Sequence, residues 1–230
     1  MLRFFNLLIS LSFSIDQYSL VTCNGNSKSV FNLCFLFPNG TKLMTTCGHG
    51  GYFVVIRVNS TSYNVTKETK TYDGIQFKTR LTNVSGNGVK IAYTLLNTGD
   101  KVQNVSFAIH ADAEIVQNDR VPIYRLPNME GIWMKDNEYR LYLRFKKNGN
   151  FPPLDSIWYG FWNSRENYLW VNATKENYTT GDSGFTYSIQ NRTMYPNQQL
   201  QFVSAATSDP DINLNEIFNA PSDFFTPSNQ

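Results

Sequence analysis

The feature that most restricts the fold is a run of three period-two segments separated by Gly/Asn turns. Gly74 to Val84 alternates with Ile75, Phe77, Thr79 and Leu81 on one face. Val89 to Asn97 alternates with Val89, Ile91, Tyr93 and Leu95 on one face. Between them lies Ser85-Gly86-Asn87-Gly88, whose residues tolerate the positive φ of a tight hairpin turn. Asn97-Thr98-Gly99-Asp100 makes a second turn into Asn104 to Asp119. That stretch divides into Val105, Phe107, Ile109, Ala111, Ala113 and Ile115 on one side and Ser106, Ala108, His110, Asp112 and Glu114 on the other. Alternation of this kind marks strands with one face in an apolar core. The three segments are expected to form an antiparallel meander.

The remaining chain repeats the pattern. Ser29 to Phe37 is apolar on both faces and stops at the turn Pro38-Asn39-Gly40. Tyr52 to Val58 is a strand, followed by a polar connection from Asn59 to Asp73. Gly131 to Lys135 and Glu138 to Phe145 form a hairpin about Asp136-Asn137, with Tyr139, Leu141, Leu143 and Phe145 inward. Phe185 to Gln190 and Gln199 to Ala206 complete the set. No segment sustains a 3.6-residue period with caps, and no crossover helices separate the strands. The expected fold is all-β: a mostly antiparallel β-sandwich over residues 15–207, with at most one or two short helices. Residues 208–230, with three prolines, are expected to be a partly ordered tail or linker.

The compartment is read from the beginning of the chain. Arg3 followed by the apolar stretch Phe4 to Phe13, with Ser12 and Ser14 placed for cleavage, predicts a signal peptide over residues 1–14. The alternative is a buried first strand or helix. No later run approaches the ~20 apolar residues of a membrane span, so no transmembrane segment is expected in the mature chain. Eight Asn-x-Ser/Thr sequons begin at Asn39, Asn59, Asn64, Asn83, Asn104, Asn172, Asn177 and Asn191. That is about twice what the Asn and Ser/Thr content would give by chance, and it suits a secreted glycoprotein. Cys23, Cys34 and Cys47 would supply one disulfide and leave one thiol; Cys23–Cys34 and Cys34–Cys47 are both open. The 20 basic and 18 acidic residues nearly cancel without a basic run, which argues against nucleic acid as a partner.

Two groups of residues carry possible chemistry. His110, Asp112 and Glu114 would lie in a row, Cβ atoms roughly 6–7 Å apart. Asp112 and Glu114, joined by Asp119, offer oxygen ligands for Ca2+, although they lack the spacing of a dedicated calcium loop. With only His49 and His110 in the chain, a transition-metal site lacks imidazoles. A pair of carboxylates also suits glycoside hydrolysis, but any i, i+2 strand pair meets the distance. No nucleophile elbow, phosphate loop or dinucleotide fingerprint occurs, so no motif makes the chain an enzyme. The plainer reading is structural, with His110 or Asp112 fixing the sandwich edge. The second group is Ile157 to Val171, where Trp158, Tyr159, Phe161, Trp162, Tyr168 and Trp170 surround Arg165 and Glu166. Aromatic faces stack on sugar rings and neighbouring polar groups orient them, so Trp158, Tyr159, Trp162, Arg165 and Trp170 are candidate ligand contacts. Packing in the core is the alternative for each.

The pattern Tyr93-Thr94-Leu95-Leu96-Asn97-Thr98-Gly99, then His110-Ala111-Asp112, Asn118-Asp119 and Pro122, resembles an uncharacterised family. Its members are extracellular β-sandwich domains of trichomonad-type protist and bacterial cell-surface proteins. Trp158-Tyr159-Gly160-Phe161-Trp162, Ser164-Arg165 and Asp182-Ser183-Gly184-Phe185 are similar to its later motifs, and the resemblance spans about residues 50–206. It implies a secreted or surface location and adhesion, and transfers no catalytic residues. The expected function is therefore a secreted or cell-surface binding or adhesion module for carbohydrate or a surface glycoprotein. The alternatives are a carbohydrate-active enzyme (glycosidase, lyase or epimerase type) using acidic residues of the 104–119 strand, and a structural spacer domain.

Overall fold

A computed structural model describes residues 18–23, 29–84, 88–145, 154–171, 178 and 180–221. The signal-peptide reading, the turn residues 85–87 and the sequons at Asn172 and Asn177 lie outside them.

Three strands open the described chain: β1 (Ser19–Cys23), β2 (Asn32–Leu36) and β3 (Lys42–Met44). They form a small antiparallel sheet in the order β1-β2-β3, and Cys23–Cys34 is the disulfide that joins its first two strands. Cys47 is the free thiol. Next come β4 (Phe53–Val58), β5 (Thr61–Val65), β6 (Thr69–Tyr72), β7 (Ile75–Val84), β8 (Gly88–Asn97) and β9 (Gln103–Asp112). After these run β10 (Ile123–Arg125), β11 (Gly131–Asp136), β12 (Tyr139–Phe145), β13 (Ser156–Phe161), β14 (Ser183–Met194) and β15 (Gln199–Thr207). A six-residue helix α1 (Leu214–Asn219) ends the set, and buries Ile217 against Gly88.

Two antiparallel sheets build the sandwich, one of seven strands ordered β10-β11-β12-β15-β8-β7-β6 and one of five ordered β13-β14-β9-β4-β5. The all-β sandwich read from the sequence is the observed fold. The hairpin of β7 and β8 pairs from Ile75↔Asn97 to Val84↔Gly88, as its alternation requires. The hairpin of β11 and β12 turns at Asn137, whose φ is +52°.

The meander does not continue into its third strand. β9 crosses to the five-stranded sheet, between β4 and β14, and β15 takes the place beside β8. Asn97 makes this corner: fully buried, it donates to the carbonyls of Lys101 and Met194 and accepts from the Gly99 amide. The crossing places Phe107 in the space between the sheets, 5.9 Å from Phe77, 5.1 Å from Tyr93 and 4.3 Å from Phe202 between ring centroids. A third strand in the first sheet would have left those rings without partners from the second layer. The strand also ends earlier than its pattern suggests. Val116 and Gln117 take positive φ, and Ile115 pairs with Asn118 in a tight turn, so Glu114 to Asp119 leave the ladder.

Asn59 to Asp73 is likewise not a plain connection. It supplies β5 and β6, the outermost strands of the two sheets, and both read as polar because an edge strand covers little core. Tyr63 and Tyr72 close this side, ring centroids 5.1 Å apart, while the Tyr63 hydroxyl bonds to the Asp73 carboxylate.

Candidate functional site

The face of the five-stranded sheet that points away from the core is set by register. Phe53 pairs with His110, His110 with Thr186, and Thr186 with Trp158, so these four side chains form one row. Val55, Ala108, Ser188 and Ser156 form the next row, with Asn64 opposite Val55 at the β5 edge. This face is not a solvated one. The 3-10 segment Trp162–Tyr168 and the residues to Val171 fold back over it as a roof.

The roof is fastened at several points. Tyr168 stacks on Trp158, with centroids 4.7 Å apart and planes 5° from parallel. Thr186 donates its hydroxyl to the Arg165 carbonyl at 3.0 Å, and Ser156 donates to the Val171 carbonyl at 2.5 Å. Arg57 sits 4.4 Å from the centre of the Trp170 ring. Gly184 allows the crossing, because a Cβ there would lie 2.9 Å from the Trp162 Cα and 3.1 Å from the Ala111 carbonyl oxygen. The 3-10 turn breaks strand alternation at Trp162, so no period-two reading extends across the segment.

This arrangement sorts the aromatic residues. Trp158 and Tyr159 are 2% and 1% exposed, so neither offers a ring to solvent as a binding platform. Trp158 holds the roof, and Tyr159 packs in the core. Trp162 and Trp170 are half-buried, while Phe161 is exposed. Another aromatic row escaped the sequence reading: Tyr124, Trp133 and Tyr142 stack across β10, β11 and β12 with centroids 4.5 Å and 5.7 Å apart. Those separations resemble the strand spacing, so the rings cover one another and leave mainly edges free.

The row of His110, Asp112 and Glu114 does not line one common pocket. His110 lines a pocket of about 260 Å³ with Phe53, Val54, Asn64, Val65, Thr66 and Glu166. Glu114 lines a different pocket, of about 300 Å³, with Thr46, Met44 and Gln117. Asp112 lines neither of these two pockets. His110 and Glu114 therefore line separate pockets, because the chain leaves the ladder after Asp112. Among the described residues, no group of three or more His, Cys, Asp and Glu side chains is placed to hold a metal ion. The calcium arrangement of Asp112, Glu114 and Asp119 is thus not formed.

Electrostatics single out the covered zone. His110 is 4% exposed, and burial, with Arg165 nearby, pushes its imidazole down to about 3. It is neutral at physiological pH. Burial raises Asp112 to about 6; Asp182, Asp119 and Glu114 add to the effect, and Arg165 opposes it. Asp182 is raised as well, by burial and by Asp119, against Arg120 and Arg165. Arg165 is itself buried, with Nη1 donating to the Trp162 carbonyl at 2.8 Å and Nη2 3.8 Å from Glu166. Eight buried side-chain polar atoms lack a hydrogen-bond partner among the described residues. Five belong to this zone: His110 Nδ1, Asp112 Oδ1, Trp158 Nε1, Arg165 Nε and Asp182 Oδ1. Buried polar groups ordinarily find partners, so this concentration fits bound water or a polar ligand.

Phe53, Asn64 and Thr66 were not singled out as binding residues from the sequence, although Asn64-Val65-Thr66 is a sequon. Only the register of β4, β5 and β9 brings them beside His110.

No protein-family profile and no curated protein matches the chain. Among solved structures, the chain is similar to a polysaccharide lyase, with a TM-score of 0.57 and 10% identity over 85% of this chain and 33% of the lyase. It is also similar to a bacterial glucoamylase solved with acarbose, with a TM-score of 0.51 and 11% identity over 89% of this chain and 36% of the glucoamylase. The likeness is one of fold, a β-sandwich shared with these carbohydrate-active proteins. This chain spans about a third of the length of either.

Proposed function

We propose that the protein is a secreted or cell-surface binding module that takes a short saccharide in the pocket between β4, β5, β9 and the roof. The observation that carries this reading is the stack of Phe53 on His110, with ring centroids 5.1 Å apart, beside Asn64, Thr66 and Glu166. An apolar ring wall with a few convergent polar groups is the usual make-up of a small sugar site. The shared fold with two carbohydrate-active proteins supports the class of ligand by analogy only. The sequons and the Cys23–Cys34 disulfide suit an oxidising, extracellular setting, and no described helix is long and apolar enough to cross a membrane.

The test is a glycan array probed with unglycosylated protein, followed by saturation-transfer NMR on any hit. Phe53→Ala and Glu166→Gln should each weaken binding about tenfold or more, whereas Tyr195→Ala, on an exposed loop, should not. Absence of binding by the unsubstituted chain to every saccharide would end this reading.

A second reading, a carbohydrate-active enzyme, rests on Asp112. A carboxyl raised to about 6 beside Asp182 and Arg165 has the character of a general acid. Release of reducing or unsaturated ends from a polysaccharide panel, abolished by Asp112→Asn, would support it; an Asp112→Asn protein as active as the unsubstituted chain would remove that residue.

A further inference from the structure

We propose that Asn64 carries an N-linked glycan whose first N-acetylglucosamine ring sits in the pocket beside Phe53 and His110, so that the chain's own sugar caps the site. This rests on the pocket assigned above and adds its regulation.

Six of the eight sequon asparagines lie in the described residues: Asn39, Asn59, Asn64, Asn83, Asn104 and Asn191. Of these, Asn64 is the one that lines either pocket described above, and Thr66, the hydroxyl residue of its sequon, lines the same pocket. Of the others, Asn59 has Nδ2, the atom that would carry a glycan, already bonded, while Asn83 and Asn39 engage only Oδ1. Asn59 donates to Gln103 at 2.6 Å and accepts from the Asn104 amide at 3.0 Å; Asn83 accepts from the Thr22 amide at 3.1 Å. Asn39 accepts from the Thr41 amide at 2.9 Å. The Asn64 side chain makes no hydrogen bond among the described residues, and it is exposed.

Geometry then places the sugar. Asn64 stands on β5, the outermost strand of its sheet, on the same face as Phe53 and His110 and opposite Val55. A ring joined to Nδ2 starts at the pocket wall, with Phe53 on one side and Glu166 of the roof above. The volume of about 260 Å³ is at the small end for ligand sites, which suits one ring rather than an oligosaccharide. Further sugars would leave past the open edge of β5. Attachment requires a polyprenyl-diphosphate-linked oligosaccharide as donor. The Nδ2–C1 bond forms, the C1–O bond to the diphosphate breaks, the lipid diphosphate leaves, and one amide proton is lost to solvent.

The experiment uses the chain secreted from eukaryotic cells. Peptide mapping reads occupancy at Asn64, and hydrogen–deuterium exchange compares the native glycoprotein with Asn64→Gln and with Thr41→Ala, which removes the Asn39 sequon. Asn64 is expected to be occupied, and amides of residues 53–66 and 161–168 should exchange several-fold faster in Asn64→Gln but not in Thr41→Ala. An unmodified Asn64, or equal exchange with and without its glycan, overturns the proposal. These readouts use no added saccharide. Failure of the unglycosylated chain to bind sugars would therefore count against the binding function while leaving the occupied pocket standing.

Discussion

Phe53 lies flat on His110, ring centroids 5.1 Å apart and planes 13° from parallel, although the two residues are 57 positions apart in the chain. The pairing of β4 with β9 makes them neighbours, and the roof over β9 buries the imidazole. A buried, stacked imidazole that is bonded to no carboxylate among the described residues has little to stabilise its charged form.

His110 should therefore stay neutral as the pH is lowered. Its ring resonances, assigned by comparison with His110→Gln, should not shift between about pH 8 and pH 4.5. With the folded value near 3 and the ordinary value 6.5, its contribution to stability is present above 6.5 and lost as the pH falls toward 3. An imidazole titrating near 6.5 in the folded protein would show that the roof does not seal.

Asp112 has the opposite sign. Its folded value of about 6 exceeds the ordinary 3.8, so its stabilising contribution is present below 3.8 and lost as the pH rises through 6. Asp112→Asn should raise stability at pH 7.5, by on the order of 1 kcal/mol after allowing for partial solvent access, and leave it little changed at pH 4. Urea midpoints at the two pH values give the comparison. Equal effects at both would assign the gain to something other than ionisation.

Trp158 and Gly184 should behave as structural supports of the roof. Trp158→Ala removes a fully covered indole and the partner of Tyr168, and should cost about 3–5 kcal/mol in chemical denaturation. Gly184→Ala drives a Cβ toward the backbone at Trp162, which no side-chain rotation relieves, and should cost about 1–3 kcal/mol. In each case the emission of the remaining tryptophans should move to longer wavelength as the segment lifts. A stable Trp158→Ala protein with unchanged emission would contradict the stacking described.

Cys47 should be a sluggish thiol. Burial, with Asp112, Glu114, Asp119 and Asp182 nearby, pushes it up from the usual 9.0 to about 11. At pH 8 its thiolate fraction, and with it iodoacetamide labelling, should be on the order of 100-fold lower than for a free cysteine peptide. Mass spectrometry of the native protein measures the rate, which should keep rising beyond pH 9. Fast labelling at pH 8 would place the thiol outside this acidic neighbourhood.

Strand content and fold class were readable because a strand in a sandwich writes its burial into the sequence with period two. Ile75 to Leu81, Val89 to Leu95 and Val105 to Ala111 carry that signature directly, and a Gly/Asn turn is legible wherever positive φ is required. The pairing of β9 was not readable. A short turn after Asn97 suits a hairpin and a sheet-to-sheet corner alike; the choice fell to Phe107, which completes an aromatic cluster only from the second sheet. β5 and β6 were missed for a related reason, since an edge strand need not alternate strongly.

The sequence by itself determined the all-β class, the hairpins, the sequons and which residue types could carry chemistry, because these follow from local periodicity and composition. Only the tertiary structure decided which of those residues meet. It buried Trp158 and Tyr159, parted Glu114 from His110, chose Cys34 as the partner of Cys23, and brought Phe53, Asn64 and Glu166 around the imidazole. The physical reason is that strand register and sheet order are set by packing between segments far apart in sequence, and a one-dimensional pattern records which face is buried but not what buries it.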